Sequence, residues 1–372
     1  MRIFGRSLIF SACVLTISAA YLLGAVASAS TVETITMLDR GEPFASMTAD
    51  NSTLWVAQNR RNFNPDYRLQ VFTTDGRLVD EVRLNHTMWN MVQYSPGSVM
   101  MTGINPSTNL TSYTVARLEN GKIRLKTTEI ALGGFINFWI ASFGGKHFFA
   151  DMGGNPNDDQ LGVPAQTIFS STGSNARYLS TRLRMPLAGL GMNQKLYLVS
   201  HEALANPASS LVEVDPTSMQ KRVLTASKSA AYAGLKILPG TQDLVTSALA
   251  ENKIIIVDSQ SGQVRRELQT KGYTRSFDFF GRCILAGNDE TNTVEIFDLN
   301  SPSDRPTLTE VVDLPADQFS GIKSIAVDQA TGTVFARAAF ACNPMSQVCD
   351  KDFNRVVRFG AEVADRLRAT CQ

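Results

Sequence analysis

Residues 252–268 read NKIIIVDSQSGQVRREL, and this stretch decides the fold. A run of Ile254, Ile255, Ile256 and Val257 meets Asp258, crosses Ser259-Gln260-Ser261-Gly262, and resumes with Val264 and Leu268. β-Branched residues suit a pleated surface and glycine suits a turn position with positive φ, so the stretch predicts a β-hairpin. The pattern recurs as LQVFTTDGRLVDEVRL from Leu69, YTVARLENGKIRLKTTEI from Tyr113, SSLVEVDPTSMQKRVL from Ser209 and TVEIFDLN from Thr293. A spacing of roughly 40–50 residues between such units is the period of a propeller blade or a solenoid repeat.

Each of these hairpins follows an inner one. The inner hairpins cover residues 44–59, 88–104, 136–152, 187–202, 232–250, 274–289 and 321–341, each an apolar strand, a polar turn and a second strand. Seven inner hairpins predict seven blades. The third blade takes its outer hairpin from TIFSS at Thr167 and ARYLSTRLR at Ala176, and the last takes NRVVRFG from Asn354. Blades are sheets packed face to face, which explains strands that are almost continuously apolar. The fold class is all-β, a seven-bladed β-propeller of four-stranded antiparallel blades, with residues 30–372 as one domain. Two segments can close the ring. Residues 31–38, TVETITML, can complete the last blade as its outermost strand, or residues 363–370 can do so, although Val363, Leu367 and Cys371 equally suit a short helix.

Residues 1–29 carry Arg2 and Arg6, an apolar segment from Leu8 to Val26, and Ala27-Ser28-Ala29. That is the layout of a secretory signal peptide cleaved before Ser30, with an uncleaved N-terminal anchor as the alternative. Either predicts a secreted, periplasmic or cell-surface protein, and a membrane partner enters only with the anchor. The net charge is +1, and no basic stripe shows along the sequence, which argues against a nucleic-acid partner. Four cysteines follow the signal segment. In an oxidising compartment they read as two disulfides, Cys342 with Cys349 across a short loop and Cys283 with Cys371.

The runs RCILAGNDETNTVEIFDLN (residues 282–300) and NKIIIVDSQSGQVRREL resemble repeats of the YVTN-type and quinoprotein-like seven-bladed propellers. SIAVDQATGTVFARA (residues 324–338) is similar to the corresponding stretch of NHL and gluconolactonase-type propellers. The resemblance implies the fold and a binding platform, because these families share little chemistry.

Function is expected on the face that carries the loops between second and third strands and between blades. There the loop 60–67 offers Arg60, Arg61, Phe63 and Tyr67, the residue types that anchor interfaces. The loop 151–166 gathers Asp151, Asn155, Asp158 and Asp159, and its carboxylates Asp151, Asp158 and Asp159 are the oxygen donors a Ca²⁺ ion would take, although no cofactor is otherwise expected. His201 beside Glu202 is a candidate acid–base pair, the plain alternative being a solvent-facing imidazole. No Walker A, dinucleotide or HExxH motif is present. The expected function is an extracytoplasmic binding or scaffold protein that recognises a protein or glycan on its loop-rich face. The alternative is a metal-dependent hydrolase of the gluconolactonase type with its site at the central channel mouth.

Overall fold

The computed structural model describes residues 32–37, 46–50, 52–59, 67–88, 90–133, 140–151, 167–179, 186–203, 206–311, 320–340 and 355–372. Strand β1 (Val32–Met37) comes first. Blade 1 is β2 (Ser46–Asp50), β3 (Thr53–Asn59), β4 (Tyr67–Thr73) and β5 (Leu78–Leu84). Blade 2 is β6 (Asn90–Ser95), β7 (Ser98–Asn105), β8 (Leu110–Glu119) and β9 (Lys122–Gly133). Blade 3 is β10 (Ile140–Phe143), β11 (Lys146–Asp151), β12 (Thr167–Thr172) and β13 (Asn175–Leu179). Blade 4 is β14 (Pro186–Met192), β15 (Lys195–Ala203), β16 (Asn206–Val214) and β17 (Lys221–Ser227). Blade 5 is β18 (Tyr232–Ile237), β19 (Leu244–Ala248), β20 (Lys253–Val257) and β21 (Val264–Gln269). Blade 6 is β22 (Thr274–Phe280), β23 (Cys283–Asn288), β24 (Thr293–Asp298) and β25 (Leu308–Val311). Blade 7 opens with β26 (Ser320–Val327), β27 (Val334–Phe340) and β28 (Arg355–Phe359), and helix α1 (Ala361–Cys371) ends the chain.

Six blades are antiparallel meanders of consecutive strands. The seventh runs β26-β27-β28-β1, so the start of the chain supplies its outermost strand. Val32 stands opposite Phe359 and Met37 opposite Arg355. The ring therefore closes through β1, and the alternative of a closing strand at 363–370 is corrected: those residues are helical. Val363, Ala364, Leu367 and Cys371 form the helix's buried stripe, a helical period that a strand cannot bury on one face. Helix α1 is fastened to blade 6. Cys283 and Cys371 are disulfide-bonded with Cα atoms 5.4 Å apart, and Arg366 grips Glu310 through Nε and Nη2 at 2.9 and 2.7 Å. The backbone N–H of Arg282 donates to the Cys371 carbonyl at 2.9 Å. Cys342 and Cys349 lie outside the described residues.

The opening hairpin shows how the repeat works. Asp258 Oδ1 accepts the N–H groups of Gln260 at 2.8 Å and Ser261 at 2.7 Å, while the Gly262 N–H donates to the Asp258 carbonyl at 2.8 Å. Gly262 has φ +80, and a Cβ there would meet the Leu224 carbonyl oxygen of blade 4 at 2.5 Å. The aspartate thus ends the strand by capping the turn, and the glycine both permits the turn and lets the next blade approach. Asp215 caps the equivalent turn of blade 4 through Thr217 and Ser218 at 2.8 and 3.0 Å. These backbone N–H donors, with Arg265 beside Asp258, hold both carboxyls below the usual carboxylate range.

Strand alternation sends the apolar run to two interfaces. Ile254 and Ile256 pack with Phe277 and Phe297 of blade 6, whereas Ile255 and Val257 pack with Tyr197 and Leu211 of blade 4. Every neighbouring pair of blades shares such a cluster. Among the described residues the smallest lies between blades 2 and 3, with Met100, Tyr113, Ile130 and Phe149.

His86 is fully buried in the passage from blade 1 to blade 2. Its Nδ1–H donates to the Thr87 carbonyl at 2.6 Å, so Nε2 accepts from the Thr114 hydroxyl at 2.6 Å. Burial lowers its pKa from the ordinary value near 6.5. The unfolded chain therefore takes up a proton that the folded chain refuses, and stability falls as pH drops through about 6.5. Denaturant midpoints measured between pH 8 and 5 will show this loss. The slope will flatten in a His86→Asn variant, which has lower stability at pH 8 but no imidazole to titrate.

Candidate functional site

Two concavities stand out among the described residues. One is the central channel, about 580 Å³, walled by the innermost strand of every blade. The other is a groove of about 530 Å³ between blades 2 and 3, at the end of the ring that carries the turns between first and second and between third and fourth strands.

The channel's described charges are engaged within the wall. Lys236 Nζ pairs with Asp278 Oδ1 at 2.6 Å, and Asp278 Oδ2 accepts the Val327 N–H at 2.8 Å. Ser276 Oγ accepts the Ile325 N–H at 3.1 Å, and the Gln329 amide donates to the Phe279 carbonyl. These bonds join blades 5, 6 and 7 and engage both of the channel's described charges.

The groove is built differently. Blade 2's outer hairpin turns at Asn120-Gly121, both at positive φ (52 and 71), the geometry that suits a two-residue hairpin turn. In register, Ser98 at the start of β7 faces Arg117, so β8 runs on through Leu118 and Glu119 beyond its inner neighbour. In blade 3, β12 ends at Thr172, next to the Ser171 that faces His147. The overhang of two residues is about 7 Å at strand rise, and the groove opens beside it. From the other side the hairpin tip is held by blade 1, where Asp80 accepts from Lys122 Nζ at 3.0 Å and the Ile123 N–H at 2.8 Å.

The face turned to the groove carries Tyr113, Val115, Arg117 and Glu119 on β8 and Arg124, Lys126 and Thr128 on β9. Arg117 is directly opposite Arg124, and Lys126 directly opposite Val115. Among the described residues no carboxylate is within ion-pair distance of Arg117, Arg124 or Lys126. Blade 3 contributes His147, whose ring lies 4.8 Å from that of Tyr113 and 6.2 Å from that of Tyr94. Ser142 Oγ lies 2.8 Å from His147 Nδ1, and Tyr113 donates its hydroxyl to the Gly173 carbonyl at 3.4 Å. Burial lowers the His147 pKa, so the imidazole is neutral at pH 7 and acts as an aromatic spacer between the tyrosines. Tyr94 is 40% exposed.

The residues expected from sequence fall elsewhere. Tyr67 opens β4 and packs, half-buried, against the core between blades 1 and 2, so it is part of the frame. Asp151 ends β11 opposite Thr167. His201 is 8% exposed and its Nε2 is 2.5 Å from the Tyr232 carbonyl, to which it donates. The solvent-facing reading is thus corrected: this imidazole is a buried bracket between blades 4 and 5. Glu202 follows it on β15. Arg60, Arg61, Phe63, Asn155, Asp158 and Asp159 lie outside the described residues. Among the described residues no group of three His, Cys, Asp or Glu could hold a metal ion. The groove escaped sequence reading because its cations alternate with Tyr113, Val115 and Thr128 on two strands, so no basic stripe forms along the chain. The available signal was Arg117 and Arg124 placed symmetrically about Asn120-Gly121.

The fold and this site define a seven-bladed β-propeller with a basic groove between two blades. The chain is similar to the structure of a streptogramin B lyase, at 13% identity and a TM-score of 0.60 over 89% of this chain and 97% of that one. It is similar to virginiamycin B lyase from Staphylococcus aureus at 14% identity and a TM-score of 0.57, over 88% of this chain and 98% of that one. Raptor from Chaetomium thermophilum is also similar, at 10% identity and a TM-score of 0.58, with 88% of this chain spanning only 29% of that one. Identities this low show the fold alone. No family model matches the sequence, and no curated protein matches it.

Like charges directly opposite on a sheet are destabilising, so the Arg117–Arg124 pair costs folding energy. Arg124→Glu places an opposite charge there and will stabilise the free protein by about 0.2–1 kcal/mol. The measurement is a denaturant titration at low salt, and the gain will shrink at high salt.

Proposed function

We propose that this protein is an extracytoplasmic binding propeller that recognises a protein or a glycan through the groove between blades 2 and 3. One observation carries the reading: among the described residues the groove's cations Arg117, Arg124 and Lys126 stand without carboxylate partners in a cavity lined by tyrosines, while the channel's described charges, Lys236 and Asp278, are engaged with each other. A cavity of several hundred Å³ with an apolar floor and a few polar groups is the usual form of a ligand site. A sheet that sets two arginines opposite each other gives up stability, and binding an anionic group there is what recovers it.

Export rests on the layout of residues 1–29, with cleavage before Ser30. The similarity to lyases named for streptogramin B and virginiamycin B is consistent with a propeller that holds a ligand. The loops 60–67 and 151–166, singled out from the sequence, remain a second candidate surface for the test.

The test uses the mature chain, residues 30–372, against arrays of glycans and of peptides, with the Arg117→Glu/Arg124→Glu double variant alongside. Binding is expected to an anionic member, to weaken steeply between 50 and 500 mM salt as the Debye length shortens, and to vanish in the double variant while the fold persists. Binding that is equal in the double variant would move the site out of the groove.

A further inference from the structure

The chemistry of the groove narrows the ligand class, and this step rests on the binding reading above. We infer that the groove takes an acidic oligosaccharide, a short chain of uronate or sulfated sugars lying along the β8–β9 face.

The wall of the groove determines which part of a ligand it can hold. β8 is paired on both sides, with β7 and β9, so its main-chain donors and acceptors are spent on the ladder. An extended peptide gains its affinity from main-chain hydrogen bonds to an open strand edge, and the face of β8 offers it none, the open edge beside the groove being the outer side of β9, away from the Arg117–Arg124 pair's ladder. A sugar chain needs side-chain donors and flat apolar surface instead, and the groove presents both.

The donors come first. Arg117 and Arg124 face each other across the ladder, and Lys126 lies two positions from Arg124 on the same face of β9, about 7 Å away at strand rise. The two guanidinium forks suit the planar carboxylate of a uronate or the oxygens of a sulfate, and Lys126 adds a second point of positive charge further along. Glu119, at the tip of the hairpin, has no basic partner among the described residues either, and it supplies an acceptor for sugar hydroxyls.

The platform comes second. Tyr94, His147 and Tyr113 form one aromatic group, with His147 between the tyrosines at 6.2 and 4.8 Å. Tyr94 is 40% exposed and Leu125, on the lip, 38% exposed. A pyranose ring lays its C–H face on such a surface while its hydroxyls point outward, and tyrosine suits this use because it is rigid and amphipathic. The aromatic floor and the cationic tip follow one another along the groove, so one short acidic chain can stack a ring on the first and set its charges on the second.

The experiment is calorimetric titration of the mature chain with four probes: a galacturonate trisaccharide, a mannuronate tetrasaccharide, a hyaluronan tetrasaccharide and a heparin-derived hexasaccharide. A methyl-esterified galacturonate trisaccharide and a hexaglutamate peptide serve as controls. At least one acidic saccharide is expected to bind at 50 mM salt. Arg117→Gln with Arg124→Gln is expected to weaken it more than tenfold, and Tyr94→Ala more than threefold, neither with a loss of the folded state. Hexaglutamate bound as tightly as any saccharide, with no effect of Tyr94→Ala, would overturn the saccharide class and leave the groove as an acidic-peptide site. No binding of any of the four saccharides would overturn the inference as well, while the wider arrays above decide separately whether the groove binds at all.

Discussion

The pairing of β1 with β28 is the constraint on which the rest of the structure depends. A ring of blades has no stable open form, because each sheet buries both faces only when a neighbour stands on either side. The first and last blades must therefore meet, and the join is made by a strand brought from the far end of the sequence. Val32 to Met37 lie along Arg355 to Phe359, and the pairing spans more than 300 residues of chain. Arg358 reinforces it through Glu33 of β1 and the Thr74 carbonyl of blade 1. Ser52 of blade 1 donates its backbone N–H to Asp328 of blade 7 at 3.1 Å. Helix α1, sealed to blade 6 by Cys283–Cys371, fixes the end of the strand that β1 must find. A disulfide across 88 residues restricts the unfolded chain by an amount that is typically about 2–5 kcal/mol.

Closure also explains why a groove exists. Once the ring is complete the blades cannot adjust their spacing independently, so a mismatch between two neighbours persists as a cleft. Blades 2 and 3 differ in this way, with outer strands of 10 and 12 residues beside outer strands of six and five. Their shared core is correspondingly small among the described residues, and along β8 it ends at Val115. Beyond that point the long hairpin continues with arginine and lysine instead of valine and isoleucine. The composition changes where the packing partner ends, and the polar face that results looks onto the groove.

The architecture was legible because it is written locally and repeatedly. The Ile254–Val257 run gives buried alternation, Asp258 gives the turn cap, and Gly262 gives both a positive φ and room for Leu224. The closing strand was legible only as one of two choices, since TVETITML reads as a strand while Val363, Leu367 and Cys371 fit two periods; the structure makes the latter helical. The site was hardly legible at all. His201 next to Glu202 looked like chemistry, yet the imidazole is spent on the Tyr232 carbonyl, a non-local bond that no spacing reveals. Arg117 and Arg124 belong to no motif, and only the register of β8 with β9 sets them opposite each other. Functional groups in a propeller are assembled across blades, so their chemistry appears only once the ring is built.

The most direct test of this account is hydrogen exchange on residues 30–372, followed residue by residue at β1. If the ring is closed by β1, the amides that pair in the β1–β28 ladder will exchange as slowly as those of β27, through global opening alone. Rapid exchange of β1, with β28 still protected, would mean that the last blade stands without its fourth strand and would contradict the closure described here.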